Sequence, residues 1–228
     1  MHSYNNDGIS KDEKTKEITY SKNGKVVSVK GIDVSSHQGD IDWELVKKDG
    51  VEFAFVRACY RGYGTGKLVV DTKCIENLQN AKAAGIKVGV YVFSQAVTKD
   101  EAIEEADTVL CTLDGMKLDL PIVYDVEKLP NKTARMNALS VQGRTDIAIA
   151  FLEEIKAFNY ECMLYHNTEM GAMLFDMTRL EEYNKWFAAY SDEIYWPYQF
   201  EVWQYCEKGR VAGIDGYVDL DVWMSEFE

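Results

Sequence analysis

The stretch Leu120-Pro-Ile-Val-Tyr-Asp-Val-Glu127 is a short apolar run that ends on two acids two residues apart. It predicts a buried strand over residues 121–125, because an apolar run of this length suits a strand better than a helix. Outward from it the same texture recurs. Strands are predicted at 31–35, 52–57, 87–93 and 162–166, and segments of helical period near 43–48, 72–84, 99–113 and 140–158 lie between them. Thr98 followed by Glu101 resembles a capping box, and Gly85 sits where a helix should stop. After 166 the rhythm changes, since the runs 185–190, 200–204 and 217–221 leave no room for long helices between them. Five β/α units and three closing strands give eight, the number that closes a small barrel with a filled interior. The expected fold is therefore α/β, a TIM-like (β/α)5(β)3 barrel.

Composition agrees with one such body. The chain has 228 residues, 46% hydrophobic, with 3 Pro, which suits a sizeable core and argues against a disordered or collagen-like chain. Residues 1–16 are polar and read as a flexible tail. Residues 17–30 hold Asn23-Gly24 between two apolar runs and read as a small β-hairpin extension, which leaves 31–228 for the barrel.

The charge excludes some partners. Lys and Arg total 25 against 38 Asp and Glu, a net charge of −13, so a phosphate backbone is repelled and nucleic acid is not expected as a partner. The apolar runs fall short of the ~20 residues of a membrane span. The N-terminus shows neither the basic stretch nor the apolar core of a secretory signal. Cys59, Cys74, Cys111, Cys162 and Cys206 are scattered, without metal spacing, and read as small buried hydrophobes with the redox compartment undecided. His2, His37 and His166 form no zinc pattern, and no G-x-S-x-G elbow is present, so neither metal nor cofactor is expected.

Acids recur near the predicted strand ends: Asp33, Asp125 with Glu127, and Asp219. In a parallel barrel, C-terminal strand ends gather at one mouth, where the active sites of such folds lie. Asp125 and Glu127 would point to one side, about 6 to 7 Å apart along the strand. Crowding of carboxylates in a partly dry mouth raises at least one pKa, so one group keeps a proton while its neighbour stays ionised. Acid-assisted cleavage of a glycosidic bond requires that pairing.

These residues resemble the glycoside hydrolase family 25 lysozymes, the Chalaropsis-type N-acetylmuramidases. The resemblance rests on Gly31-Ile-Asp-Val-Ser-Ser-His-Gln-Gly39 with Ile41-Asp-Trp43, on Ala81-Lys-Ala-Ala-Gly85 leading into Val88-Gly-Val-Tyr91, and on the stretch 120–127. It continues through Trp186-Phe-Ala-Ala-Tyr190, Trp203-Gln-Tyr205 and Gly213-Ile-Asp-Gly-Tyr-Val-Asp-Leu-Asp221. The resemblance implies hydrolysis of the β-1,4 bond between N-acetylmuramic acid and N-acetylglucosamine in peptidoglycan glycan strands, acting outside the cell or at the wall. It implies Glu127 as general acid, with Asp125, Asp33 and Asp219 as acidic companions. The family's last motif usually carries Asn where this chain has Asp221, which puts the local hydrogen bonding there in question.

Tyr91, Tyr165, Trp186 and Tyr190 fall on or at the ends of predicted strands, where flat rings suit sugar faces, and Gln204 is a candidate sugar ligand. His37 is expected to shape the loop after the first barrel strand. Two other functions use similar parts: a glycan-binding module without chemistry, and a divalent-metal phosphodiesterase on a like barrel. A monomer is favoured.

Overall fold

The structure, a computed structural model, describes residues 1–227; Glu228, the last residue of the expected barrel segment, lies outside the described residues. It opens with three strands, β1 (Ile9–Lys11), β2 (Ile18–Lys22) and β3 (Lys25–Val26), paired as a small antiparallel sheet. Asn23 and Gly24 turn β2 into β3 with φ of 54° and 77°, the positive angles that a two-residue hairpin turn demands. β1 comes from the stretch read as a tail and pairs with β2, Ile9 opposite Tyr20.

The next elements alternate. They are β4 (Val29–Val34), α1 (Trp43–Lys48), β5 (Phe53–Arg61), β6 (Leu68–Val70), α2 (Cys74–Ala83), β7 (Lys87–Ser94), α3 (Lys99–Leu113), β8 (Ile122–Val126), α4 (Val141–Ala157) and β9 (Cys162–Asn167). The last strands are β10 (Asn184–Ala188), β11 (Val202–Gly209) and β12 (Val218–Trp223). The sheet runs β4-β12-β11-β10-β9-β8-β7-β5, and pairing of β4 with β5 closes it into an eight-stranded barrel, with β6 flanking β5. The fifth unit lacks a regular helix: β9 leads into a short π-helical turn, Met170–Leu174.

Local chemistry explains the helix boundaries. Thr98 caps α3 by accepting from the Glu101 N–H at 3.2 Å. The Glu101 carboxylate reaches past the cap to the Val97 N–H at 2.8 Å and is clamped by both Arg135 guanidinium ends, so the expected capping box becomes a tie between loops. Gly85, with φ 78°, follows α2 and stops it.

Barrel strands alternate their side chains between two apolar layers. Ile32, Val34, Ala54, Val56 and Val90 belong to the larger core between barrel and helices, whereas Phe53, Phe55, Val123, Met163, Trp186 and Val202 fill the interior. Phe55 stacks on Trp186 with centroids 4.8 Å apart. Gly89 makes that possible, because a Cβ there would lie 2.7 Å from the Phe55 ring and from the Pro121 carbonyl oxygen.

The closing strands lack covering helices, and the N-terminal extension takes their place. Ile18 and Tyr20 are buried in the same core as Trp203, Tyr205 and Val222, and the Tyr4 hydroxyl donates to the Phe200 carbonyl at 2.6 Å. Of the cysteines, Cys59, Cys74 and Cys162 are buried as expected, while Cys111 is exposed and Cys206 half-buried; all are free thiols. Among the described residues, no helix is long and apolar enough to cross a membrane.

Candidate active site

Asp125 is the fourth residue of β8, and Glu127 follows the strand directly. Two residues of extended chain put both on the inward side, with the Glu127 side chain half-buried at the rim and Asp125 buried below it. Asp33 lies near the end of β4, and Asp219 sits directly opposite it on β12. The sequence places Asp219 towards the end of its strand. In the structure it is the second residue of β12, which runs antiparallel to both β4 and β11, so the beginning of that strand reaches the mouth. The four acids meet all the same: the Asp125 carboxyl feels the charges of Glu127, Asp33 and Asp219, and Asp219 feels those of Asp33 and Glu127.

Gln204 on β11 joins the cluster. Its Nε2 donates to Asp33 Oδ2 at 2.7 Å, and its Oε1 accepts from the Tyr165 hydroxyl at 2.9 Å and the Tyr190 hydroxyl at 3.1 Å. The Tyr165 hydroxyl also favours an ionised Glu127, opposing the rise of its carboxyl. A phenol has one proton to give, and in the structure Gln204 accepts it.

Burial dominates the electrostatics. Desolvation, and then the negative charge of Glu127 and Asp33, holds Asp125 well above the usual carboxylate range. Desolvation raises Glu127 as well, against the opposing hydrogen bond from Tyr165. Asp219 is pushed up to about 9 by burial and by Asp33, Glu207 and Glu127. Asp33 is raised by burial, then by Asp221. The mouth therefore stores protons at neutral pH, which suits general-acid chemistry.

The aromatic candidates divide by depth. Tyr91 and Tyr165 are buried beside the acids, and Tyr190 is 55% exposed at the rim. Trp186 does not face the groove. It is 1% exposed, packed against Phe55, Tyr165 and Tyr91, and its Nε1 donates to Asp221 Oδ1 at 2.9 Å. Strand alternation gives the side a residue faces but not its depth, and Trp186 lies two residues below the mouth-side Ala188. It supports the floor of the site. His37 is exposed in the short turn Ser36–Gln38, whose geometry Ser35 and Gln38 fix as a capping box. His166 faces the outer layer against Phe187 and Trp196, away from the acids, with its pKa pushed down to about 4 by burial.

A family model described as glycosyl hydrolases family 25 matches residues 32–214, the segment that carries Asp33, Asp125, Glu127 and Gln204. The chain belongs to glycosyl hydrolase family 25. Among curated relatives, the YegX protein of Escherichia coli K12 is 29% identical over 216 residues, covering 88% of this chain and 71% of its own. The autolytic lysozyme of Clostridium acetobutylicum is 26% identical over 194 residues, covering 85% of this chain and 55% of its own. The crystal structure of a bacterial lysozyme from Streptomyces coelicolor superposes with a TM-score of 0.73 at 26% identity, over 87% of this chain and 93% of that one. The protein is thus a glycoside hydrolase on the TIM-like barrel of its family.

Two residues of this family 25 site were not among the site candidates in the sequence. Arg57 extends the inward register of Phe53 and Phe55 on β5, and its positive charge opposes the rise of Asp125. It is braced by Asp71, whose Oδ2 accepts from Arg57 Nε at 2.9 Å and from the Ser36 N–H at 3.1 Å. An arginine in an otherwise apolar strand, two residues after an inward phenylalanine, was the available signal. Asp221 is the second. It is more than a local hydrogen-bonding detail: it is a fifth carboxyl, fully buried below Asp219 on the inward face of β12.

Proposed function

We infer that this glycoside hydrolase acts on peptidoglycan, cutting the β-1,4 bond between N-acetylmuramic acid and N-acetylglucosamine outside the cell or at the wall. Glu127, kept protonated by burial, delivers its proton to the glycosidic oxygen and then takes one from the incoming water. The Tyr165 hydroxyl favours the ionised Glu127 that stands between the two steps.

The observation that carries the assignment of Asp125 is its Oδ1, a buried oxygen with no protein partner. Buried polar atoms normally find a partner, so this one is placed for a donor that the substrate brings, such as the N–H of a 2-acetamido group. Held in that way, the acetamido oxygen attacks the anomeric carbon. A direct attack by Asp125 needs its carboxyl nearer to Glu127, at the ~5 Å of retaining pairs, than the ~6.5 Å that strand spacing provides. Tyr91, Tyr165, Tyr190 and Gln204 would line the sugar path, and Asp33 and Asp219 would hold charge and geometry.

The test uses purified peptidoglycan. Mass spectrometry of the released muropeptides should show N-acetylmuramic acid at the new reducing end. An NMR time course should show the retained anomer first, and an inverted first product sinks both routes at the anomeric carbon. Glu127→Gln should abolish reducing-end release while the protein stays folded; lysis by that variant would reject the role of Glu127. Chelators should leave the rate unchanged, whereas loss of activity restored by added metal would favour the phosphodiesterase reading.

A further inference from the structure

Asp221 is a buried interior carboxyl that the proposed reaction leaves without a task. Its ladder partner on β4 is Gly31, and Asp33 lies two residues further along the same inward face. Asp221 Oδ1 accepts from Trp186 Nε1, while Oδ2 is buried with no donor. Asp33 is its diagonal neighbour across the ladder, and each carboxyl acts on the titration of the other. Two ionised carboxylates only accept and cannot bond to each other, so an ionised pair would leave this contact repulsive and Oδ2 orphaned. One proton between them resolves both problems, because an acid donating to a carboxylate is among the strongest hydrogen bonds available. The pair itself sets its direction. Each carboxyl receives one N–H, Gln204 Nε2 on Asp33 Oδ2 and Trp186 Nε1 on Asp221 Oδ1, while their contact with each other raises Asp33 and lowers Asp221, which puts the proton on Asp33.

We propose that Asp33 and Asp221 hold a single proton across the β4–β12 ladder, and that Asp221 is a positioning residue that fixes Asp33 as a neutral acid beneath the groove. Burial raises both groups, and after it the charge of Asp221 raises Asp33 and the charge of Asp219 raises Asp221, in keeping with such a pair. The groups around the pair are Asp219 on β12, Gln204 and Glu207 on β11, Trp186 on β10, Tyr165 on β9, Tyr91 on β7 and Arg57 on β5, with Asp125 and Glu127 at β8. Arg57 is already engaged by Asp71. The sharing places the negative charge of the pair one layer below the groove, further from Glu127 than an ionised Asp33 would be. The proton pairing is independent of the reaction; its consequence for turnover rests on the role of Glu127 proposed above.

The test is Asp221→Asn. The amide can accept from Trp186 and donate to Asp33, which then ionises. Calorimetric unfolding at pH 7 in buffers of different ionisation enthalpy counts released protons, and the wild type should release one more than D221N. The infrared C=O band of protonated carboxyls, measured on protein without substrate, should weaken by the equivalent of one group. Asp33→Asn should lose the same proton and guards against a D221N chain that fails to fold. In turnover, D221N should move the alkaline limb of the pH profile up by about half a unit, since the charge shifts a few ångströms towards Glu127. Equal proton release and an unchanged band in the wild type and both variants would overturn the pairing. A wild-type enzyme inactive on peptidoglycan would overturn the reaction instead and leave the proton count to decide this inference.

Discussion

Replacing Gln204 by Leu removes three hydrogen bonds and puts a branched apolar side chain, one bond shorter, in its place. The bond from Nε2 to Asp33 Oδ2 is short, at 2.7 Å, and buried; losing a bond to a carboxyl of this kind costs about 2 kcal/mol. The Tyr165 hydroxyl, bonded at 2.9 Å, loses an acceptor, for about 1 kcal/mol more. Tyr190 is half exposed and turns to water, so its 3.1 Å bond adds little. Burying the extra apolar surface of Leu returns about 1 kcal/mol. The expected net loss is about 2 kcal/mol, read from the urea midpoint at constant slope. Tyr190→Phe, which cuts the weakest bond of the same hub, should stay within about 0.5 kcal/mol of the wild type. Wall clearing by Gln204→Leu should fall by about 10- to 100-fold, because Asp33 and the Tyr165 hydroxyl lose the partner that orients them. A variant as stable and as active as the wild type would show that Gln204 is not the joint of the acid cluster.

Other measurements probe the same physics elsewhere. The raised carboxyls predict how stability follows pH. An unfolded Asp titrates near ~3.9, whereas Asp219 in the fold titrates at about 9, so the folded state binds more protons between those values. That contribution is complete below pH ~4 and is lost as pH rises through the folded value, so Tm should fall steadily from pH 5 to 9, and Asp219→Asn should flatten the slope. A Tm that rises over this range would contradict the proton-storing mouth. Gly89→Ala pushes a methyl to within 2.7 Å of the Phe55 ring and the Pro121 carbonyl, and should cost about 1 to 3 kcal/mol by denaturation. A neutral result would mean that the interior layer is looser than its packing suggests.

Much of the barrel was legible because its signals are local. The expected helices at 43–48 and 99–113 coincide with α1 and α3, where a capping Asp42 or Thr98 and the apolar spacing fix both ends. β5 runs four residues past the expected 57, because 59–61 pair with β6, a contact across a loop that alternation along one segment cannot show. The direction of β12 was hidden for a related reason. Polarity in a sheet is set by the path of the chain, so Asp219 looked like a strand-end acid when it is a strand-start acid. Trp186 shows another limit, since periodicity gave its side of the strand and left its depth open. Asp33, Asp125 and Glu127 were found where the rule of acids ending apolar strands could see them. Asp221, two residues beyond Asp219 on the same strand, became interpretable only when its neighbours across the ladder were known.

The backward run of the last strand has a practical outcome at the far pole of the molecule. Because β12 descends from the groove, Trp223 finishes beside Val29, where β4 sets out, and there Phe53, Trp223 and Phe227 interlock edge to face. Entry and exit of the barrel polypeptide share this aromatic stopper, diametrically away from the sugar cleft. A fluorophore, an affinity handle or a second folded unit joined after residue 227 would hang behind the enzyme and leave the approach of a long polymer unobstructed.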